Sequence, residues 1–349
     1  MSSPWALPDF DDHEFVHFIT DRASGLRAII AVHSTYLGPG AGGARFWHYA
    51  DPDDAVTDAL RLSRGMSFKN AMAGLPLGGG KAVILAAEDR HKSAAMLVAL
   101  GRAIDGLNGR YVTAEDVGMT VADMVAISGQ TRHVSGLPVQ SGAIGGDPGP
   151  HTALGVFLGL KAAVRRVMNK NSVAGLHIAV QGVGSVGGGL ARLAAAEGAR
   201  LTLGDVDAAR ANDLARELGA QVATADDILG TDADVVSPCA LGAILTEDSI
   251  DKLRAPIVAG GANNQLENAS CGAMLHDRGV LYAPDYVINA GGIINVASEY
   301  LRDPDASIVD RRIAGIPDRL ESIWATSATS GRDPASVADD MARKLIGRS

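Results

Sequence analysis

VQGVGSVGGGLARLAAAEGARLTLGDVD, Val180 to Asp207, decides the fold of this chain. It opens on the end of an apolar run, LHIAVQG, and passes through Gly182, Gly184 and Gly187 into a helical pattern. It then returns to a second apolar run, RLTLGD. In such a strand–turn–helix the first glycine permits the tight turn and the second lets a pyrophosphate approach the backbone. The third lets helix and strand pack closely, and the helix N-terminus offers N–H groups to phosphate. Asp205 ends the second run, 18 residues beyond Gly187 (205 − 187), where a carboxylate would hold a ribose 2′-hydroxyl and repel a 2′-phosphate. The motif therefore predicts a dinucleotide site that favours NAD. Asp207 is the better candidate to cap the helix that follows.

Working outward, a helix from about Thr152 to Val167 precedes this unit, and the apolar runs DADVVSP, APIVAGG and GVLYAP follow it. Short apolar runs alternating with helices imply parallel βαβ units in a doubly wound sheet. The N-terminal part mixes the two: LRAIIAVH and KAVIL read as strands. DPDDAVTDALRLSRGM reads as a helix capped by Asp51 with Pro52 at its first position, and the segment from Lys92 to Leu107 as an amphipathic helix. Glycine and proline gather over Ser141–Thr152, the best place for a hinge. The expected class is α/β in two domains with a cleft between. Residues 1–145 would form a substrate and oligomerisation domain, and 146–324 a Rossmann domain. The helical end, about 325–349, would pack back on the first.

Bulk properties narrow the function. The 349 residues, 47% hydrophobic, suffice for two cores, and a net charge of −9 disfavours a nucleic-acid partner. Two cysteines, Cys239 and Cys271, form neither a disulfide framework nor a metal spacing, so a reducing compartment and no metal are expected. The acidic, proline-broken N-terminus is not expected to be a signal peptide, and no apolar run reaches the roughly 18 residues of a membrane span. The expectation is a cytoplasmic protein without a membrane partner.

A second cluster carries the chemistry. RGMSFKNAMAGLPLGGGK holds Lys69 and Lys81, and TAEDVGMT places Asp116 after the short apolar run YVT. A redox enzyme acting on a small charged substrate needs one cation for a carboxylate, another at the reacting carbon, and a carboxylate that moves protons. A lysine on a buried glycine turn near another cation would have its pKa lowered by desolvation and repulsion. It could then polarise a carbonyl and exchange protons.

The ordered motifs GGARFWHY, MSFKNAMAGLPLGGGKAVI, TAEDVGMTVADM, VQGVGSVGGGL, SPCALGAIL, GGANNQL and LYAPDYVINAGGIINVASE resemble the glutamate/leucine/phenylalanine/valine dehydrogenase family from about Leu37 to Tyr300. The resemblance implies reversible conversion of an L-amino acid, NAD(P) and water into a 2-oxo acid, ammonium and reduced cofactor. It implies that Lys69 binds the substrate carboxylate with Asn263, that Lys81 polarises the 2-oxo or carbinolamine oxygen, and that Asp116 shuttles protons. The cofactor would lie against Gly182, Val183, Gly184, Ser185, Val186, Gly187, Asp205 and Val206, with Thr152, Cys239, Ala240 and Asn263 nearby. His151 departs from the family pattern. Family members are commonly homo-oligomers.

Glutamate-specific members carry a lysine where this chain has Ala41, and a hydroxyl where it has Val296. Without them a γ-carboxylate would be buried unpaired, at a cost of roughly several kcal/mol. An apolar pocket of Gly42, Ala41, Met66, Ala114, Ile293 and Val296 fits a branched-chain amino acid first, leucine or valine, with phenylalanine or another aromatic acid as the alternative. Two other classes compete. One is a non-catalytic NAD sensor on the same fold, which would be expected to lack Lys81 or Asp116. The other is a 2-hydroxy-acid dehydrogenase, which would need a paired histidine, and His33, His48 and His151 show no pairing in the sequence.

Overall fold

The computed structural model describes residues 5, 7, 9–138, 144–240, 242–303 and 305–348. Part of the expected hinge (141–143) and Leu241 of the SPCALG segment lie outside them. The chain divides into two compact units, one from 1–147, 295–308 and 342–349, the other from 148–294 and 309–341.

The first unit contains β1 (Phe15–Asp21), β2 (Leu26–Ser34), β3 (Gly40–Ala41), β4 (Ala44–Trp47), α1 (Pro52–Met72), β5 (Gly78–Leu85), α2 (Ala94–Asp105), β6 (Tyr111–Val112) and α3 (Val121–Ser128). Its sheet runs β1-β2-β5-β3-β6, with β4 also paired to β5. β1, β2 and β5 are antiparallel neighbours, and β3 and β4 run parallel to β5. Strand periodicity sorts the side chains. Ala28, Ile30, Val32, Ala82 and Ile84 join the core with Leu100, Ile104 and Met124 of α2 and α3. Ile29, Ala31 and Val83 pack instead with Ala55 and Ala59 of α1. Lys81 shares the parity of Val83, and so belongs to the α1 side.

This overturns one expectation. Gly78, Gly79 and Gly80 are residues of β5, not a turn, and Lys81 lies within the strand. The glycines are needed for close packing. A Cβ on Gly78 would strike the Ser34 carbonyl, one on Gly79 would strike Ser67 of α1, and one on Gly80 would meet the Tyr111 ring at 2.6 Å. α1 also runs further than its pattern suggests, to Met72, and takes Lys69 into its last turn. Asp51 caps it, accepting from Asp53 N.

The second unit contains α4 (Gly149–Met168), β7 (His177–Gln181), α5 (Ser185–Ala196), β8 (Arg200–Gly204), α6 (Ala208–Leu218), β9 (Gln221–Val222), β10 (Val235–Pro238), α7 (Glu247–Lys252), β11 (Ile257–Val258), α8 (Ala269–Asp277), β12 (Leu281–Tyr282) and α9 (Asp285–Ile288). α10 (Gly291–Leu301) carries the chain from this unit into the first, and α11 (Ser307–Ala314), α12 (Ile316–Ser330) and α13 (Pro334–Leu345) follow. The sheet is parallel throughout, in the order β12-β11-β10-β7-β8-β9. The chain winds outward from β7 to β9, then restarts at β10 on the other side of β7. The carboxyl ends of β7 and β10 are thus the switch point where doubly wound sheets bind ligands. Ala179, Val236 and Val258 form a core with Ile228, Leu245 and Leu275.

The C-terminal stretch divides differently from the expectation. Most of it, 309–341, belongs to the second unit, because Trp324 is buried and its Nε1 donates to Tyr282 O at 2.9 Å. A Cβ on Gly159 of α4 would meet Leu320 of α12 at 2.9 Å, so these helices are in close contact. Only 342–349 join the first unit, where Arg343 and Arg348 bind Asp11. Among the described residues no helix is long and apolar enough to cross a membrane.

Candidate functional site

In the first unit, Lys81 and Asp116 come together. Lys81 is 5% exposed, and its Nζ lies 2.8 Å from Oδ2 of Asp116 in the segment after β6. Burial holds the Lys81 ammonium below the ordinary lysine range, against the pull of Asp116, and Arg45 repels it further. For Asp116 burial acts first and upward, but Lys81 and Arg45 outweigh it and hold the carboxyl below its usual value. Arg45 was not singled out from the sequence. It stands on β4, paired in register with Val83 of β5, and therefore on the α1 side with Lys81.

Lys69 is half-buried in the last turn of α1. It lies 11 residues after Asp58 (69 − 58), three turns along the same side of the helix. Around this region the main chain is packed tightly. Gly42 N donates to Val112 O at 3.1 Å, and a Cβ on Gly42 would meet Met66 Cγ at 2.9 Å and strike the Gly80 carbonyl. Ala41 is 6% exposed and Ala114 half-buried, its carbonyl accepting from Ala44 N at 2.9 Å. Gly42, Met66 and Gly80 thus meet. Ile293 and Val296 are half-buried, one turn apart on α10.

In the second unit, the glycine motif lies at the switch point. Gly182 follows β7 with φ +82°, and a Cβ there would meet Ala240 at 2.6 Å. A Cβ on Gly187 would strike Gly182 O, while Gly184 has no heavy atom within 4 Å of that position. Gly184 is also the N-cap of the 12-residue α5, with no side-chain cap. Exposed Gly184 and Ser185 therefore present the start of a helix to solvent, with Val186 half-buried behind them. That arrangement fits a dinucleotide pyrophosphate.

Asp205 is braced: Oδ2 accepts from Val183 N at 2.8 Å and Oδ1 from Asp207 N at 2.9 Å. Oδ2 also faces Arg210 Nη1 at 3.6 Å, so Oδ1 is the oxygen with the freer lone pair for a hydroxyl. Val206 beside it is 90% exposed, and Asp207 caps α6. Cys239 follows β10, its N donating to Gln181 O at 2.7 Å, and exposed Ala240 comes next. Burial raises the Cys239 thiol pKa, which keeps it protonated. Thr152 donates to Pro148 O, and a Cβ on Gly292 would meet its hydroxyl, so Thr152 and the NAGG segment are neighbours. Asn263 Oδ1 accepts from Asn289 Nδ2 at 2.9 Å, which anchors Asn263. Asn289 also escaped the sequence reading, although it stands in the quoted NAGG motif.

His33 is paired after all, with Asp11 at 3.3 Å and Ser67 at 2.8 Å. It is fully buried, however, and burial followed by repulsion from Arg348 lowers its pKa to about 3. Such a ring neither meets substrate nor exchanges protons near neutrality. His48 bonds the Ala86 carbonyl, and His151 Nδ1 is buried without a partner. No group of histidine, cysteine and acidic residues among the described ones could hold a metal.

Two family models match this chain. One, Glu/Leu/Phe/Val dehydrogenase, dimerisation domain, covers residues 13–133, and the other, Glutamate/Leucine/Phenylalanine/Valine dehydrogenase, covers 203–328. A leucine dehydrogenase of Thermoactinomyces intermedius is 45% identical over 335 residues, 96% of this chain and 91% of the relative. The chain belongs to the glutamate/leucine/phenylalanine/valine dehydrogenase family. A valine dehydrogenase of Streptomyces virginiae is 44% identical, over 97% of this chain and 95% of its own. The crystal structure of L-tryptophan dehydrogenase from Nostoc punctiforme superposes with a TM-score of 0.84 at 40% identity, covering 96% of each chain. The protein is an amino-acid dehydrogenase, an oxidoreductase that uses a nicotinamide cofactor.

Proposed function

We propose that this protein catalyses the NAD-dependent, reversible oxidative deamination of an apolar L-amino acid, branched-chain first, to the 2-oxo acid and ammonium. The observation that carries the reading is the buried Lys81–Asp116 pair on a sheet face packed with glycine main chain. In the reaction Lys69 holds the substrate carboxylate. Lys81 donates to the oxygen of the 2-oxo acid or carbinolamine. Its lowered pKa lets it release a proton more readily than a surface lysine does. Asp116, kept ionised by two cations, takes protons from water or ammonium and returns them in the reverse direction. The dinucleotide supplies the hydride acceptor of the oxidative direction.

The choice of NAD rests on Asp205, whose carboxylate would repel a 2′-phosphate. The choice of an apolar side chain rests on Ala41, Met66 and Ala114, which offer no counter-charge to a γ-carboxylate. Leucine and valine dehydrogenases at 45% and 44% identity support it. An aromatic substrate is the second reading, favoured by the L-tryptophan dehydrogenase of Nostoc punctiforme at 43% identity. Assembly with further copies of the chain belongs to the same proposal. Support comes from β1, an edge strand with Phe18 65% exposed, and from the dimerisation-domain match over 13–133.

The test is NAD and NADP reduction with L-leucine, L-valine, L-phenylalanine, L-tryptophan and L-glutamate at alkaline pH, and ammonia dependence of the reverse reaction. Turnover with leucine and valine, on NAD in preference to NADP, is expected. A preference for phenylalanine or tryptophan would favour the aromatic reading. Turnover confined to glutamate would sink the pocket assignment.

A further inference from the structure

Asp116 answers to more than Lys81. Arg45 Nε donates to Asp116 Oδ2 at 2.9 Å, the same oxygen that Lys81 Nζ reaches at 2.8 Å. Arg45 Nη1 donates to Oδ2 of Asp58 on α1 at 2.8 Å. The Tyr49 hydroxyl donates to that Asp58 oxygen at 2.6 Å. The result is one chain, Tyr49–Asp58–Arg45–Asp116–Lys81, formally neutral with two carboxylates and two cations. It runs inward from Asp58, whose side chain is 32% exposed, to Lys81 at 6%.

A lysine alone would neutralise Asp116. What Arg45 adds is direction. Both charged donors converge on Oδ2, and neither engages Oδ1. A planar guanidinium that forks between two carboxylates fixes their orientation as a lysine cannot. Arg45 also places a positive charge beside Lys81 that Asp58 partly offsets.

We propose that Arg45 is a positioning residue of the reaction: held by Asp58 and Tyr49, it clamps Oδ2 of Asp116 against Lys81 and leaves Oδ1 as the oxygen that exchanges protons. This rests on the reading of Lys81 and Asp116 as the reacting pair. Arg45 and Tyr49 stand in the quoted GGARFWHY motif, but the proposed reaction gives neither of them, nor Asp58, a part. The charged and titratable groups that face the pair or its partners are Arg45 from β4, Asp58 from α1, Tyr49 before α1, and Tyr111 from β6. The Tyr111 hydroxyl is turned to Gly42 O.

The chain of charges makes two variants act in opposite senses. Removing the Arg45 charge takes repulsion from Lys81 and a counter-ion from Asp116, so both pKa values rise. Removing the Asp58 charge withdraws an attraction, so the Lys81 pKa falls. A variant that merely loosened the fold would produce no such opposition.

The experiment compares wild type with Arg45→Gln, Arg45→Lys and Asp58→Asn, reading the Lys81 midpoint by trace acetylation across pH with peptide mass spectrometry. The pH profile of kcat/KM for amino-acid oxidation is recorded beside it. Arg45→Gln is expected to move the Lys81 midpoint and the rising limb of the profile upward by about one pH unit. Asp58→Asn is expected to move them downward. Arg45→Lys should restore the midpoint but not kcat, because a single ammonium cannot bridge both carboxylates. Shifts of the same sign, or none, would overturn the proposal while leaving the reaction intact. Acetylation reads Lys81 whether or not any amino acid is oxidised. Opposed shifts in the variants of a protein inactive on every amino acid would sink the reaction, and the positioning role with it, and leave standing only the charge coupling of Arg45 and Asp58 to Lys81.

Discussion

Lys81 and Asp116 stand 35 residues apart in the chain (116 − 81), and their Nζ and Oδ2 atoms lie 2.8 Å apart in the fold. The strand that carries Lys81 has three glycines immediately before it, and each lets a neighbouring backbone or ring come closer than any other residue would allow. Lys81 is thus buried directly after three strand residues that carry no side chain.

Removing either partner is expected to abolish chemistry before it abolishes folding. Lys81→Met leaves Asp116 its ion pair with Arg45, and Asp116→Asn keeps the shape of the side chain. Amino-acid oxidation should fall by about 10²–10⁴-fold in each. Steady-state kinetics beside thermal unfolding checks this. Activity retained within about tenfold in both would show that the pair is structural.

The glycines of the dinucleotide motif should separate stability from binding. Gly182→Ala forces a Cβ onto a residue at φ +82° and into Ala240, and should destabilise the second unit by about 1–3 kcal/mol. Gly184→Ala meets no heavy atom within 4 Å and should leave the Tm almost unchanged. It should still weaken NAD binding about tenfold or more, because the methyl occupies the approach to the helix start. Titration calorimetry and thermal unfolding on both variants read the two effects separately.

Ala41→Lys tests the pocket. The site is 6% exposed, so the new ammonium would be desolvated in the absence of a γ-carboxylate. The expected result is a loss in kcat/KM for leucine of about 100-fold or more, with a smaller loss, or a gain, for glutamate. An unchanged leucine-to-glutamate ratio would place the side-chain pocket elsewhere.

Acid should weaken the first unit through His33. Burial and then Arg348 lower its pKa from 6.5 to about 3, so the folded protein refuses a proton that the unfolded chain accepts. The contribution is fully present above pH 6.5 and is lost progressively as pH falls from 6.5 toward 3. His13, also lowered chiefly by burial, acts in the same sense. The urea midpoint should therefore drop between pH 7.5 and pH 5, and His33→Gln should flatten that dependence. An equal slope in the variant would assign the acid sensitivity to other groups.

Much of this protein was legible because its signals are local. Gly182, Gly184, Gly187 and Asp205 fall within one strand–helix–strand unit, where the spacing of a few residues fixes their geometry. The alternation of short apolar runs with helices carried the parallel sheet. Lys69, Lys81 and Asp116 stood out as titratable groups beside turns and strand ends, and the fold brings Lys81 and Asp116 together. The role of the glycine run was not legible, since a run of three glycines reads equally as a turn or as a strand in close contact. Only the positions of Ser34, Ser67 and Tyr111 decide for the strand. Nor could the sequence show that Arg45 reaches both Asp58, 13 residues away, and Asp116, 71 residues away. It could not show that residues 342–349 close on Asp11 and His33 while 309–341 stay with the other unit. Periodicity specifies which face of an element a side chain takes. Which charged partner it meets there depends on how separate elements pack, and that the tertiary structure alone decides.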